Sequence, residues 1–220
     1  MPKPHLRPPH QNRSRRTLDR ILDSAARLLE SRSFEELTVL DVVSEAGCSV
    51  GAFYGRLRDK EGLLHALDER YFAELDAALH GFVTSQSVEV GTLAEVLEEL
   101  ASMLMRFHTR QRGLLRALIL HARVHRSPAF ESREESLWKQ VPLLAERLLR
   151  HRGEVDHGDP ERAIVFALLQ MLYALREMTL WPHIAGRAPF RDADLAGELA
   201  RAAYAYLTMG PLQHPTQGRR

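Results

Sequence analysis

TVLDVVSEAGCSVGAFYGRLRDKEGLL, residues Thr38 to Leu64, carries enough start and stop signals for its local structure to be read directly. Thr38 precedes the apolar Val39, Leu40, Val42 and Val43, and Asp41 follows it three positions on. A threonine hydroxyl accepts from the free amides of a first helical turn, and an aspartate there meets the positive end of the helix. A short helix is therefore expected to begin at Val39. Gly47 stands where that helix must leave through a positive φ, and Ser49 offers a new cap ahead of Val50, Gly51, Ala52, Phe53 and Tyr54. The turn is about three residues long, which forces its two helices to cross steeply. In such a helix-turn-helix the second helix projects from the body and fits a DNA groove. Asp59 caps a further helix, on which Leu63, Leu64, Leu67, Tyr71 and Leu75 recur at helical spacing.

Upstream, Leu18, Ile21, Leu22, Ala25, Leu28 and Leu29 predict a first helix from about Ser14 to Ser31. The order of features resembles the N-terminal domain of TetR-type transcriptional repressors. The features are the paired Ala25 and Ala26, then Phe34, the Thr38-capped helix with Asp41, Ala46-Gly47-x-Ser49-x-Gly51-x-x-Tyr54, and Asp59-Lys60-Glu61-x-Leu63. The likeness runs from roughly Arg13 to Leu67 and departs at Cys48, Val43 and Leu57, positions of local packing. It implies an all-α chain: an N-terminal helix-turn-helix DNA-binding domain followed by a C-terminal helical domain for ligand binding and dimerisation, about nine helices in all.

The remainder reads as helix throughout. After a polar break from Gly81 to Gly91, Thr92 and Glu95 form a capping-box pattern before Val96, Leu97, Leu100, Met103, Leu104 and Phe107. A helix is expected from Leu114 to about His125, another from Ser127-Pro128 to near Gly153, and an apolar one behind Asp159-Pro160 from Ile164 to Leu180, ended by Trp181-Pro182. Asp192 opens a last helix before Gly210-Pro211. The expected organisation is a disordered basic arm at 1–12, a DNA-binding domain at 13–62 with its motif at 38–57, an effector-binding and dimerisation domain at 63–210, and a flexible tail at 211–220.

With 220 residues, 45% of them hydrophobic, the chain can bury a substantial core. No run approaches the roughly 20 apolar residues of a membrane span; the longest uncharged helical run, Ala163 to Leu175, stops after thirteen. The basic N-terminus has no hydrophobic segment behind it, so a cytoplasmic protein without a membrane partner is expected. A single cysteine, Cys48, excludes an internal disulfide framework; it is read as a packing residue of the turn rather than a redox sensor. The net charge is only +1, yet in the first twenty residues Lys3, Arg7, Arg13, Arg15, Arg16 and Arg20 oppose Asp19 alone, a local +5. Such an arm suits phosphate contact when a helix-turn-helix follows it, and otherwise reads as a solvated tail.

Double-stranded DNA is thus the expected partner. Early residues of the second helix meet base edges, and here Val50, Gly51 and Ala52 offer only apolar contact and close backbone approach. Arg56 is the nearby side chain able to read guanine or hold phosphate. Thr38, Ser49, Tyr54 and Lys60 suit phosphates, as do Arg15 and Arg16 of the basic segment. The resemblance assigns Tyr54 and Lys60 to the DNA backbone.

One such motif reads too few bases to select an operator, so a homodimer on a palindrome is expected. Phe166, Gln170 and Ala174, with Leu199, Ala203 and Tyr206 of the last helix, are its expected interface. The resemblance further implies release by a small effector, otherwise unknown. Met103, Phe107, Leu118, His121, Trp138, Met171, Tyr173, Met178 and Trp181 combine the polarizable and aromatic groups of an apolar ligand site, though each also reads as core. His121 and His125 have metal-ligand spacing, but no third ligand accompanies them, so no metal is expected. No Glu-x-x-His pair of the di-iron type, P-loop or G-x-G-x-x-G occurs, so neither cofactor nor catalysis is expected. The competing classes are a helical-bundle enzyme and a protein-binding adaptor.

Overall fold

The computed structural model describes residues 9–125, 139–181 and 192–210. Every regular element among them is helical: α1 (Pro9–Leu29), α2 (Val39–Glu45), α3 (Val50–Tyr54), α4 (Lys60–Val83), α5 (Gln86–Val90), α6 (Leu93–Arg110), α7 (Arg112–His125), α8 (residues 139–148) running into a 3-10 turn (Leu149–Glu154), α9 (Pro160–Leu180) and α10 (Asp192–Thr208). The chain is all-α, as its sequence implies. The expected start of α8 at Ser127-Pro128 and the tail from residue 211 lie outside the described residues.

Three boundaries differ from expectation. α1 begins at Pro9, so residues 9–12 form its first turn rather than part of a disordered arm; proline is at ease there because a first-turn N–H has no intrahelical partner. The break expected from Gly81 to Gly91 holds the end of α4 and the short α5. α9 spans 21 residues at a mean hydropathy of 1.5 and is, among the described residues, the one helix long and apolar enough to cross a membrane; half of that stretch is buried inside the protein. The thirteen-residue run understated it because Arg176 and Glu177 sit inside the helix rather than ending it.

The chain divides into two compact units, Met1–Ala73 with Gln111–Phe130, and Glu74–Arg110 with Glu131–Arg220. This differs from a division at residues 62 and 63. The apolar periodicity of α4 continues unbroken past that point, and α7 returns to the first unit. In the first unit Ile21, Leu22, Ala25 and Leu29 of α1 are buried, as are Val42 and Val43 of α2, Phe53 of α3, Leu63, Leu64, Leu67 and Tyr71 of α4, and Leu114 and Leu118 of α7. Gly113 permits an unusually close approach of α7 to α1. A Cβ at that position would lie 2.3 Å from the Leu29 carbonyl oxygen, so only glycine fits. The Gly113 amide donates to Glu30 Oε1 at 3.1 Å and Arg116 Nη2 to the Leu29 carbonyl at 3.5 Å.

The second unit packs α6, α9 and α10 against one another. Leu97, Leu100 and Leu104 of α6, Ile164, Leu168 and Leu175 of α9, and Leu195, Ala200 and Leu207 of α10 are buried. α9 begins as expected, with Asp159 Oδ1 accepting from the Arg162 amide at 3.1 Å and Pro160 in the first turn.

Candidate nucleic-acid interface

The helix-turn-helix forms through the caps that its sequence supplies. Thr38 Oγ1 accepts from the Asp41 amide at 3.1 Å while Asp41 Oδ2 accepts from the Thr38 amide at 3.0 Å, a complete capping box. The Thr38 hydroxyl also donates to that carboxylate. These two Thr38 bonds, with Arg32 at 3.2 Å, hold the Asp41 carboxyl below its ordinary range. α2 ends with Gly47 at φ +60°; the Cys48 amide donates to the Val43 carbonyl and the Gly47 amide to that of Ser44, the paired bonds of a Schellman turn. Ser49 Oγ then accepts from the Ala52 amide at 3.1 Å and starts α3.

This local geometry fixes what α3 shows to solvent. Phe53 is wholly buried and anchors the helix, while Val50 and Tyr54 remain 39% and 54% exposed, with Ser49 and Gly51 beside them. Tyr54 meets Phe53 edge to face at 5.3 Å, and more than half of it is exposed. Ala52 is half-buried. Arg15 and Arg16 are exposed on α1, and Thr38 is exposed at the start of α2.

Two cations are held in ways that the sequence does not announce. Arg56 Nε donates to the Ser14 carbonyl at 2.9 Å and Nη1 to the Ala52 carbonyl at 2.7 Å, so the guanidinium ties the end of α3 to α1. Reading guanine would cost Arg56 those bonds. Lys60 Nζ donates to the Glu35 carbonyl at 3.1 Å and lies 4.5 Å from the centre of the Phe34 ring. At the start of α4, Asp59 Oδ1 accepts from the Gly62 amide at 2.7 Å, as expected of a cap.

Between α1 and the turn lies a polar hollow of about 570 Å³. Gly47, Cys48, Ser49 and Arg56 line it from one side; Arg20 of the basic segment lines it from α1 with Ser14 and Thr17, which were absent from the expected set. Their spacing of three was the available signal, since it puts them along one side of a helix. Two guanidinium groups beside the capped start of α3 make this hollow suited to an anionic backbone.

The other expected residues are dispersed over both units. Of the effector set, Leu118 and His121 are buried on α7 in the first unit. The His121 ring lies 3.1 Å from Glu61 Oε2 and edge to face with Phe34. In the second unit Phe107 and Met171 are buried, Met103 and Met178 half-buried, and Trp181 Nε1 donates to Glu177 Oε2 at 3.3 Å. Tyr173 faces outward at 41% exposure beneath Arg176, two positions from buried Met171 and on the opposite side of the helix. Trp138 lies outside the described residues. On the expected dimer face Phe166 and Gln170 are exposed, Ala174, Leu199 and Tyr206 half-exposed, and Ala203 buried. Phe166 and Tyr206 meet with ring centres 5.2 Å apart.

Residues 21–67, from α1 into α4, match the model of the family described as bacterial regulatory proteins, tetR family. The nucleoid occlusion factor SlmA of Aliivibrio fischeri is 27% identical over 139 residues, covering 61% of this chain and 67% of that protein. Among solved structures, a regulatory protein in the tetR family from Rhodococcus superposes with a TM-score of 0.66 at 15% identity over 89% of this chain and 98% of that one. A TetR-family regulator from Mesorhizobium loti gives 0.67 at 20% identity, over 89% and 95%. FadR of Bacillus subtilis, solved in complex with stearoyl-CoA, gives 0.66 at 16% identity, over 86% and 98%.

Proposed function

We propose, from the match of residues 21–67 to the tetR family model, that this chain is a TetR-family ligand-responsive transcriptional repressor that binds a palindromic operator as a homodimer and is released by a small apolar or aromatic effector. A DNA-binding regulator is the class to which the family assigns it. The observation that carries the finer reading is the outward face of α3: a short helix anchored by buried Phe53, started by Ser49 and presenting Val50, Gly51 and Tyr54 beside the basic α1. So small a face reads thymine methyls and groove shape better than guanine edges, which places much of the selectivity in the spacing of two copies.

Residues 13–62 are assigned to DNA binding and the helices behind them to effector binding and dimerisation. The effector site belongs with Phe107 and Met171 of α6 and α9, whose apolar, polarizable surroundings suit an apolar ligand. The cytoplasm, where the DNA is, is the location that this role requires.

A gel-shift titration of the full chain against its own upstream promoter, with and without a compound library, tests the reading. A retarded complex with a two-fold symmetric footprint, dissolved by at least one apolar or aromatic compound, is the expected result. Absence of retardation on every fragment at low salt would move the chain to the class of helical adaptors or bundle enzymes.

A further inference from the structure

The second unit contains a cavity of about 390 Å³ that neither the DNA-reading surface nor the expected effector residues use. The C-terminal end of α4 gives it Val83 and Thr84; α8 gives it Leu143, Glu146 and Arg147. Glu89 of α5 and Arg150 complete the lining. Arg147 is only 8% exposed, and its buried Nε has no hydrogen-bond partner.

A guanidinium keeps its charge at every physiological pH and offers only donors, so burying its Nε without an acceptor carries a cost that an acceptor in the cavity would relieve. The carboxylates that border the cavity do not relieve it: Glu89 Oε1 stands 3.9 Å from Arg150 Nη1 at the exposed edge, and Glu146 is solvent-exposed. The Thr84 hydroxyl donates to the His80 carbonyl at 2.8 Å. What the cavity lacks is one acceptor group aimed at Arg147.

The rest of the lining narrows the choice. A planar oxyanion matches the fork of a guanidinium. Glu89 and Glu146 offset Arg147 and Arg150, so the lining carries no net positive charge to hold a doubly charged anion. Val83 and Leu143 offer apolar wall, and a volume near the lower end of the range for ligand pockets admits a small molecule. We propose that this cavity binds a small monocarboxylate with a short apolar body, its carboxylate paired with Arg147 and its body laid against Val83 and Leu143. The site is independent of DNA binding and of the effector residues on α6 and α9.

Isothermal titration calorimetry of the full chain without DNA, using benzoate, hexanoate and inorganic phosphate as probes, tests this. Saturable binding of benzoate or hexanoate at one per chain is expected, with phosphate about tenfold weaker or worse. Arg147→Met should weaken the carboxylate about tenfold or more, yet its unliganded melting temperature should equal or exceed that of the parent, because a buried donor without an acceptor is gone. Leu143→Glu, at a position already 52% exposed and therefore tolerant, should likewise abolish binding by adding a third negative charge and removing the wall. The proposal is overturned if neither carboxylate binds at millimolar concentration, if phosphate binds as tightly as they do, or if Leu143→Glu binds them as well as the parent.

Discussion

Lys60 shows how far a single residue can be understood from its neighbours in sequence. Its place after Asp59, at the mouth of α4, marks it as a cation beside a helix N-terminus, and that much is legible. Its actual partners, the Glu35 carbonyl and the Phe34 ring, are some 25 positions away, and no local pattern announces them. The same holds for Arg56, whose bond to the Ser14 carbonyl spans 42 positions. An ammonium has three donors, so Lys60 can keep one on Glu35 and still turn another to a phosphate. Lys60→Ala is therefore expected to weaken DNA binding on every sequence alike and to lower the slope of log affinity against log salt by about one. Fluorescence anisotropy across a salt series checks it; an unchanged slope would confine Lys60 to holding the loop around Phe34.

At the scale of the element, caps were the most readable features. The boxes at Thr38 with Asp41 and at Thr92 with Glu95, the Gly47 turn and the Asp159-Pro160 start all stand where residue type demands, because each is settled within four residues. α5 escaped notice since five polar-flanked residues carry no periodicity. Also unannounced is the burial of a histidine in the second unit. Burial of His108 on α6, with a smaller push from Arg176 on α9, brings its pKa down to about 4. In the unfolded chain a histidine titrates near 6.5. Between those values the unfolded state binds the more protons, so His108 makes stability fall as pH drops from about 6.5 toward about 4, while above 6.5 its contribution is constant. Urea midpoints at pH 7.5 and 5 should show this drop in the parent and a smaller one in His108→Gln; equal drops would mean that His108 charges freely in the fold.

For the whole molecule, the outer face of the second unit predicts an assembly. Ala167, Gln170 and Ala174 of α9 and Leu199, Ala202 and Ala203 of α10 line a hollow of about 200 Å³, flanked by the Phe166–Tyr206 pair. Small residues between large ones leave room for the ridge of another helix. The mixture of sizes was legible; which of those side chains reach the surface was not, since α9 is apolar nearly all round. Ala174→Arg puts a charge in the hollow. Sedimentation velocity at micromolar concentration should show a dimer for the parent and a monomer for the variant, with operator affinity lost in parallel. A parent that sediments as a monomer would remove this interface.

Least legible of all was the return of α7 to the first unit, because the seam it makes joins Gly113 to a carbonyl and a carboxylate 83 and more residues earlier. That seam bears on how the protein is made. When Ala73 has left the ribosome, every helix of the turn motif has been synthesised, yet the helix that covers α1 has not; the whole of Glu74–Arg110 must be translated first. Contacts so distant along the chain form slowly. The nascent DNA-reading segment therefore waits, one apolar side still wet, and its completion is timed by the synthesis of a stretch that belongs to the other unit.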